Sequence, residues 1–128
     1  MNPKTIRYLF VCYRNRNRSP KAAEVFQNML VEAGYKVWDV NVLNGADFEV
    51  CSAGTYADED GNPMREELGE RMDVIFAMST DILEDLVTHF HVPHEKVINL
   101  EIPDIYDHRT SKLTAILKQK LEKYIPRR

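Results

Sequence analysis

Seven residues near the start of the chain, Ile6–Cys12 (IRYLFVC), end in an apolar run from Tyr8 and give way at once to polar residues and Ser19-Pro20. A strand that lacks apolar/polar alternation has no solvent side and needs cover on both faces. Such a strand belongs inside a parallel sheet. The Ser-Pro pair predicts a helix start, with Ser19 as N-cap and Pro20 at the first helical position. Ala22, Phe26, Met29, Leu30 and Ala33 then share one helical face, and Gly34 supplies the stop.

The pattern repeats downstream. Trp38, Val40 and Val42 alternate with polar residues, and Asn44-Gly45 is a strong hairpin signal, so an edge strand or extended excursion is expected before a second core strand at Phe48–Ser52. Ala53–Pro63, rich in Gly and Asp, reads as a loop, and Pro63–Arg71 as a short helix. Asp73–Met78 predicts a buried strand, and about Asp81 to Phe90 a helix with Ile82, Leu83, Leu86, Val87 and Phe90 inward. Lys96–Leu100 is a fourth strand. Leu113, Ile116, Leu117, Leu121, Tyr124 and Ile125 mark a last helix, ended by Pro126. Alternating strands and helices over 1–128 predict one doubly wound α/β domain with right-handed crossovers. Ligands in such sheets bind beyond the carboxyl ends of the strands, here the loops after Cys12, Ser52, Met78 and Leu100.

Composition narrows the function classes. The 128 residues are 44% hydrophobic with a net charge of −3, which argues against disorder. No apolar run approaches the roughly 18–20 residues of a membrane span, and the short one at Tyr8–Cys12 is followed by arginines, unlike a secretory signal. Cys12 and Cys51 are too few for a disulfide scaffold. A soluble, cytoplasmic domain is expected. Residues 1–23 hold six basic residues and no acidic one, while the rest carries 11 basic against 20 acidic, a net of −9. A basic end on an acidic chain suggests an anionic ligand, or a solvated basic surface.

The loop after the first strand, CYRNRNRSP, concentrates the chemistry. Between a strand end and a helix start, five residues can curl so that their N–H groups converge where the helix adds its partial positive charge. A phosphate-sized dianion fits that cradle. The same field favours a nucleophilic thiolate at Cys12. Arg18 can return as a planar fork gripping two phosphate oxygens. Asn15 and Asn17 tolerate the left-handed backbone such a loop needs. A buried structural cysteine beside a capped helix is the plainer alternative.

These residues resemble the signature of the low-molecular-weight protein tyrosine phosphatases. Cys12, Asn15, Arg18, Ser19, Pro20 and Ala23-Glu24 match it, as does the Ser52-Ala53-Gly54-Thr55 segment after the second strand. The order of elements agrees over most of the chain, which resembles the short bacterial members. The C-x-x-N-x-N-R-S spacing is also similar to eukaryotic phosphatases acting on the RNA polymerase II C-terminal domain, although Ser52–Thr55 and the short length fit the bacterial type better. The implied fold is a four-stranded parallel sheet, order 2-1-3-4, with helices on both faces.

The resemblance implies a role for each matched residue. Cys12 would attack phosphorus and form a cysteinyl-phosphate. Arg18 and the amides of Tyr13, Arg14, Asn15, Arg16, Asn17 and Arg18 would bind the phosphate oxygens. Ser19 would hydrogen-bond the thiolate and help it leave. Asn15 would hold the loop, with Ser52 behind it. Asp104 would be the general acid and base, with Tyr106 as a wall for the substrate ring. Three departures stand out. Arg14 replaces the usual Gly. Asn17 replaces the cysteine that could cap an oxidised Cys12, a role Cys51 could take only if its strand brings it close. Pro103 precedes Asp104 rather than following it, so Asp107 is a rival acid.

The implied activity is hydrolysis of a phosphomonoester, phosphotyrosine first, without metal or cofactor. The implied partner is a phosphorylated protein or peptide, with no nucleic acid or membrane, and a monomer is expected. Arg14 and Arg16 would flank the pocket mouth, either selecting an acidic substrate or only raising the local potential. Two other functions remain open: an arsenate reductase-like enzyme, for which the chain offers only Cys51 as a further thiol, and a non-catalytic phosphate- or phosphopeptide-binding module. His89, His91 and His94 read as a helix end entering a Pro turn rather than a metal site.

Overall fold

The computed structural model describes residues 5–15, 18–38, 45–57, 62–103 and 111–126. Strands β1 (Ile6–Cys12), β2 (Phe48–Gly54), β3 (Val74–Ala77) and β4 (Val97–Asn99) form a sheet of order β2-β1-β3-β4. All three pairings are parallel, with Cys12 level with Gly54 and Val11 level with Ala77. β1 lies inside the sheet, as its uninterrupted apolar sequence demands. The helices are α1 (Arg18–Glu32), α2 (Glu66–Arg71), α3 (Thr80–His89) and α4 (Ser111–Leu121), with short 3-10 turns at His94–Lys96 and Glu122–Tyr124.

Strand periodicity divides the core in two. Tyr8, Phe10 and Phe76 point to the side covered by α1 and α4, where they meet Ala22, Phe26, Leu30, Leu113, Leu117 and Leu121. Leu9, Val11, Ile75 and Ala77 point the other way, to Ile82 and Leu86 of α3 with Met64 and Met72. Phe76 is the hub of the first cluster: its ring centroid is 4.7 Å from Phe10, 5.8 Å from Phe26 and 5.1 Å from Tyr124. Aromatic burial of this kind anchors β1 and β3, and therefore the loops at their ends.

Several boundaries differ from the sequence expectation. α1 begins at Arg18, so Ser19 lies inside the helix and does not cap it. Its hydroxyl goes instead to Cys12. β2 runs on to Gly54, and a bridge to Pro63 ties down part of the expected 53–63 loop. The edge strand or extended excursion expected before β2 is described only at its start, Val37 and Trp38. Val37 bridges Phe48 in parallel, and the Trp38 N–H donates to the Phe48 carbonyl at 2.7 Å. Val40, Val42 and Asn44 lie outside the described residues. Gly34 stops α1 with φ +95°, as its position predicts. Among the described residues no helix is long and apolar enough to cross a membrane.

Phe76→Ala should lower unfolding free energy by about 3–5 kcal/mol, the usual result of emptying a buried aromatic site. Urea unfolding of the variant checks it; a loss below about 1 kcal/mol would mean that the hub is not as closely packed as these distances require.

Candidate active site

The carboxyl end of β1 is laced to its neighbours on both sides. Thr55 N–H donates to the Cys12 carbonyl at 2.9 Å, Tyr56 N–H to the Tyr13 carbonyl at 2.8 Å, and Met78 N–H to the Val11 carbonyl at 3.0 Å. On the far side, Ile102 N–H donates to the Met78 carbonyl at 2.7 Å. The loops after β1, β2, β3 and β4 thus meet at one edge of the sheet. The chain leaves Tyr13, turns at Asn15 with φ +56°, and is helical again by Arg18. Asn is among the few non-glycine residues that adopt this left-handed conformation at low cost.

Gly54 makes the turn possible. A Cβ there would lie 2.7 Å from the Arg14 carbonyl carbon and 2.8 Å from both Asn15 N and Ala57 Cβ. The first two are backbone atoms, so the cradle and the end of β2 pack main chain against main chain.

Cys12 is buried, and its sulfur faces two groups of the loop and helix. Asn15 N–H donates to Sγ at 3.1 Å, and Ser19 Oγ lies 2.9 Å from Sγ. Ser19 Oγ is also 2.7 Å from Asn15 Oδ1 and 3.4 Å from the Ala53 carbonyl oxygen. A hydroxyl has one proton to donate. With Cys12 as a thiol, S–H can donate to Ser19 Oγ while Ser19 donates to Asn15. With Cys12 as a thiolate, the Ser19 hydroxyl can turn to the sulfur and join Asn15 N–H as a second donor. The arrangement therefore serves both states of the sulfur through one hydroxyl rotation.

Arg18 is 4% exposed, and its Nη1 donates to the Ile102 carbonyl at 2.8 Å. This bond fixes the guanidinium plane and joins the cradle to the chain leaving β4, two residues before Asp104. The start of α3 faces the same edge. There the Ser79 hydroxyl bonds Asp81 at 2.5 Å and holds its carboxyl below the usual range, with a smaller contribution from Arg18.

Cys12, Tyr13, Arg14, Asn15, Arg18 and Ser19 are thus brought together. Arg16, Asn17, Asp104, Tyr106 and Asp107 lie outside the described residues. Ser52 lies on β2, on the sheet face that also carries Phe10 and Cys12. Register puts it level with Phe10, on the α1 side of β2, and its carbonyl accepts from Asn62 Nδ2. From α1, the Ser19 hydroxyl also reaches the Ala53 carbonyl of β2 at 3.4 Å. Gly54, Tyr56 and Ile102 were not singled out by sequence reasoning as parts of the site. Their roles are backbone and packing roles across strands, which spacing along the chain does not reveal.

Cys51 does not approach Cys12. It is level with Leu9, three register positions before the Cys12–Gly54 pair and on the other face, which puts it about 10 Å along the strand. Burial pushes its thiol up to about 11, helped by the neighbouring Glu49 carboxylate, to which it donates at 3.6 Å. Of the histidines, His89 sits 3.2 Å from Asp85 and His91 3.4 Å from Glu66, each with its own partner.

No protein-family model and no curated protein sequence matches the chain. Solved structures do. A mutant of YwlE from Bacillus subtilis superposes with a TM-score of 0.62 at 23% identity, over 93% of this chain and 90% of that one. A low-molecular-weight protein tyrosine phosphatase from T. tengcongensis gives 0.66 at 20%, over 93% and 99%. The Erwinia amylovora tyrosine phosphatase AmsI gives 0.70 at 16%, over 95% and 92%. At these identities the likeness is one of fold, and it extends along nearly the whole of each chain.

Two outcomes follow from this geometry. Gly54→Ala should cost about 1–3 kcal/mol in stability, the usual range for overpacking, and weaken inorganic phosphate binding in titration calorimetry. Unchanged phosphate affinity would show that the cradle does not depend on this contact. For Cys51, the folded protein keeps a proton that the unfolded chain releases once pH passes about 9. Its contribution is full below pH 9 and lost as pH rises toward 11. The stability difference between wild type and Cys51→Ser should accordingly shift over that window, and iodoacetamide mapped by peptide mass should spare Cys51 at neutral pH.

Proposed function

We propose that the protein is a cysteine-dependent phosphomonoesterase of the low-molecular-weight tyrosine phosphatase type, with phosphotyrosine in proteins or peptides as its substrate. The observation that carries this reading is the pair of groups on Cys12 Sγ at the strand–helix junction, Asn15 N–H at 3.1 Å and Ser19 Oγ at 2.9 Å. A structural cysteine needs no donors aimed at its sulfur. A nucleophile that must exist as an anion and later leave as one does.

In the first step the Cys12 thiolate attacks phosphorus opposite the phenolic oxygen. The S–P bond forms, the P–O bond breaks, and the leaving oxygen takes a proton from a carboxylic acid, Asp104 in our assignment. The Arg18 fork and the N–H groups of residues 13–18 bind the oxygens on which charge is carried. In the second step the same carboxylate takes a proton from water, the water oxygen bonds phosphorus, and the S–P bond breaks. Sulfur departs as a thiolate while the Ser19 hydroxyl donates to it. The Arg18–Ile102 bond supports the assignment of the acid to the segment that follows, because it ties phosphate grip and acid-bearing loop together.

Structurally similar proteins bear the names of both tyrosine and arginine phosphatases. Phosphoarginine therefore belongs in any substrate panel. Arsenate reduction is less well supported: it needs a relay of thiols, and Cys51 lies on the far face of the sheet in its neutral form.

Wild-type protein should hydrolyse an aryl phosphate with a bell-shaped pH profile, and Cys12→Ser should abolish turnover while retaining phosphate binding. Ser19→Ala should lower kcat by roughly 10- to 100-fold, the scale of one hydrogen bond to a charged group. Between Asp104→Asn and Asp107→Asn, the first should lose more activity and the basic or acidic limb of the profile with it; the reverse order would move the acid to Asp107. A wild type that binds phosphate without turning over any ester would make it a binding module.

A further inference from the structure

Among the described residues of the site, the side chain of Arg14 is a cation that the phosphatase mechanism leaves without work. Arg14 lies between Cys12 and Asn15, and its guanidinium carbon stands 5.6 Å from the centroid of the Tyr13 ring. The Tyr13 ring in turn packs on Tyr56, with centroids 4.7 Å apart and planes tilted by 33°. Both rings are unusually open for their size, Tyr13 at 43% and Tyr56 at 56% exposure. Their backbones are joined by the Tyr56 N–H to Tyr13 carbonyl bond, so the pair stands on a braced edge. Among the described residues no carboxylate forms an ion pair with Arg14.

We propose that Arg14, steadied on the Tyr13–Tyr56 pair, is a specificity-determining residue that binds an acidic side chain flanking the phosphorylated residue, making acidic phosphopeptides the substrate class. The inference rests on the proposed phosphomonoester chemistry and adds a second contact to it. Three observations carry it. The distance of Arg14 from the nucleophile suits a neighbouring residue: two residues separate their Cα atoms by at most about 7 Å, and an extended peptide advances about 3.3–3.6 Å per residue. A guanidinium stacked on an aromatic ring has already lost part of the freedom that binding would otherwise remove, and its outer edge still offers paired N–H donors to a carboxylate. The surrounding segment is of one sign, since residues 1–23 contain no Asp or Glu to compete for it.

The test uses Cys12→Ser protein, which should bind without turnover, and fluorescent phosphotyrosyl peptides carrying Glu, Ala or Lys on either side of the phosphotyrosine. Fluorescence anisotropy should give the Glu peptides an affinity about two- to fivefold above Ala, the scale of an exposed ion pair, with Lys below Ala. The preference should shrink as salt rises. Arg14→Ala in the same background should level the series, and Arg14→Lys should keep part of it. A flat series, or a Glu preference that survives Arg14→Ala, overturns the inference. The two levels separate cleanly. Wild type that hydrolyses aryl phosphate but shows a flat series leaves the enzyme reading standing alone. An inert wild type whose Cys12→Ser form still prefers acidic peptides supports the subsite and removes the enzyme. Failure to bind any phosphopeptide sinks both.

Discussion

Cys12 is held by its backbone and its side chain in two different directions, and the rest of the site follows from that. Its carbonyl is committed to Thr55 of the β2 end, while its sulfur meets Asn15 N–H and the Ser19 hydroxyl. The chain must therefore leave β1, turn back over the sulfur and enter α1 within five residues. That is possible only with a left-handed residue at Asn15 and with bare backbone at Gly54, where a side chain would collide with the loop. The cradle is rigid because the sheet beneath it is. The Phe10, Phe26 and Phe76 rings fix β1, β3 and α1 relative to one another, so the strand end at Cys12 and the helix start at Arg18 are held with little conformational entropy left to lose.

Charge completes what packing begins. Arg18 is almost fully buried, yet its fork is oriented by the Ile102 carbonyl. In the proposed mechanism this buried cation is what grips the phosphate, next to a sulfur that has two donors within reach. The second cysteine shows the opposite environment. Cys51, on the other face of the same sheet and beside Glu49, is kept neutral by burial and by that carboxylate. One strand of separation and one change of face set the two cysteines in different surroundings.

Much of this was legible in the sequence, for reasons that can be named. β1 was readable to the residue because a strand buried on both faces shows no alternation. The sheet order came with the family resemblance, and the alternation of strands and helices agreed with it. Asn15 was recognisable because few residues take a positive φ. Other features were not legible. Ser19 reads as an N-cap because Ser before a helix usually is one, yet the helix starts at Arg18 and the hydroxyl serves Cys12. Val37 pairs with β2 in parallel, a relation set by tertiary contact that turn chemistry does not reveal. Gly54 and Ile102 contribute through main-chain atoms, and main-chain roles leave the least trace in a sequence.

The proposed chemistry requires that the sulfur of Cys12 become covalently bonded to phosphorus during turnover. The most direct measurement is rapid acid quench of wild-type protein mixed with an aryl phosphate, followed by peptide mass mapping. The added mass of one phosphoryl group is expected on the peptide containing Cys12, released on the time scale of turnover. Phosphate release with no phosphoenzyme, or a phosphoryl group found on any other residue, would contradict it.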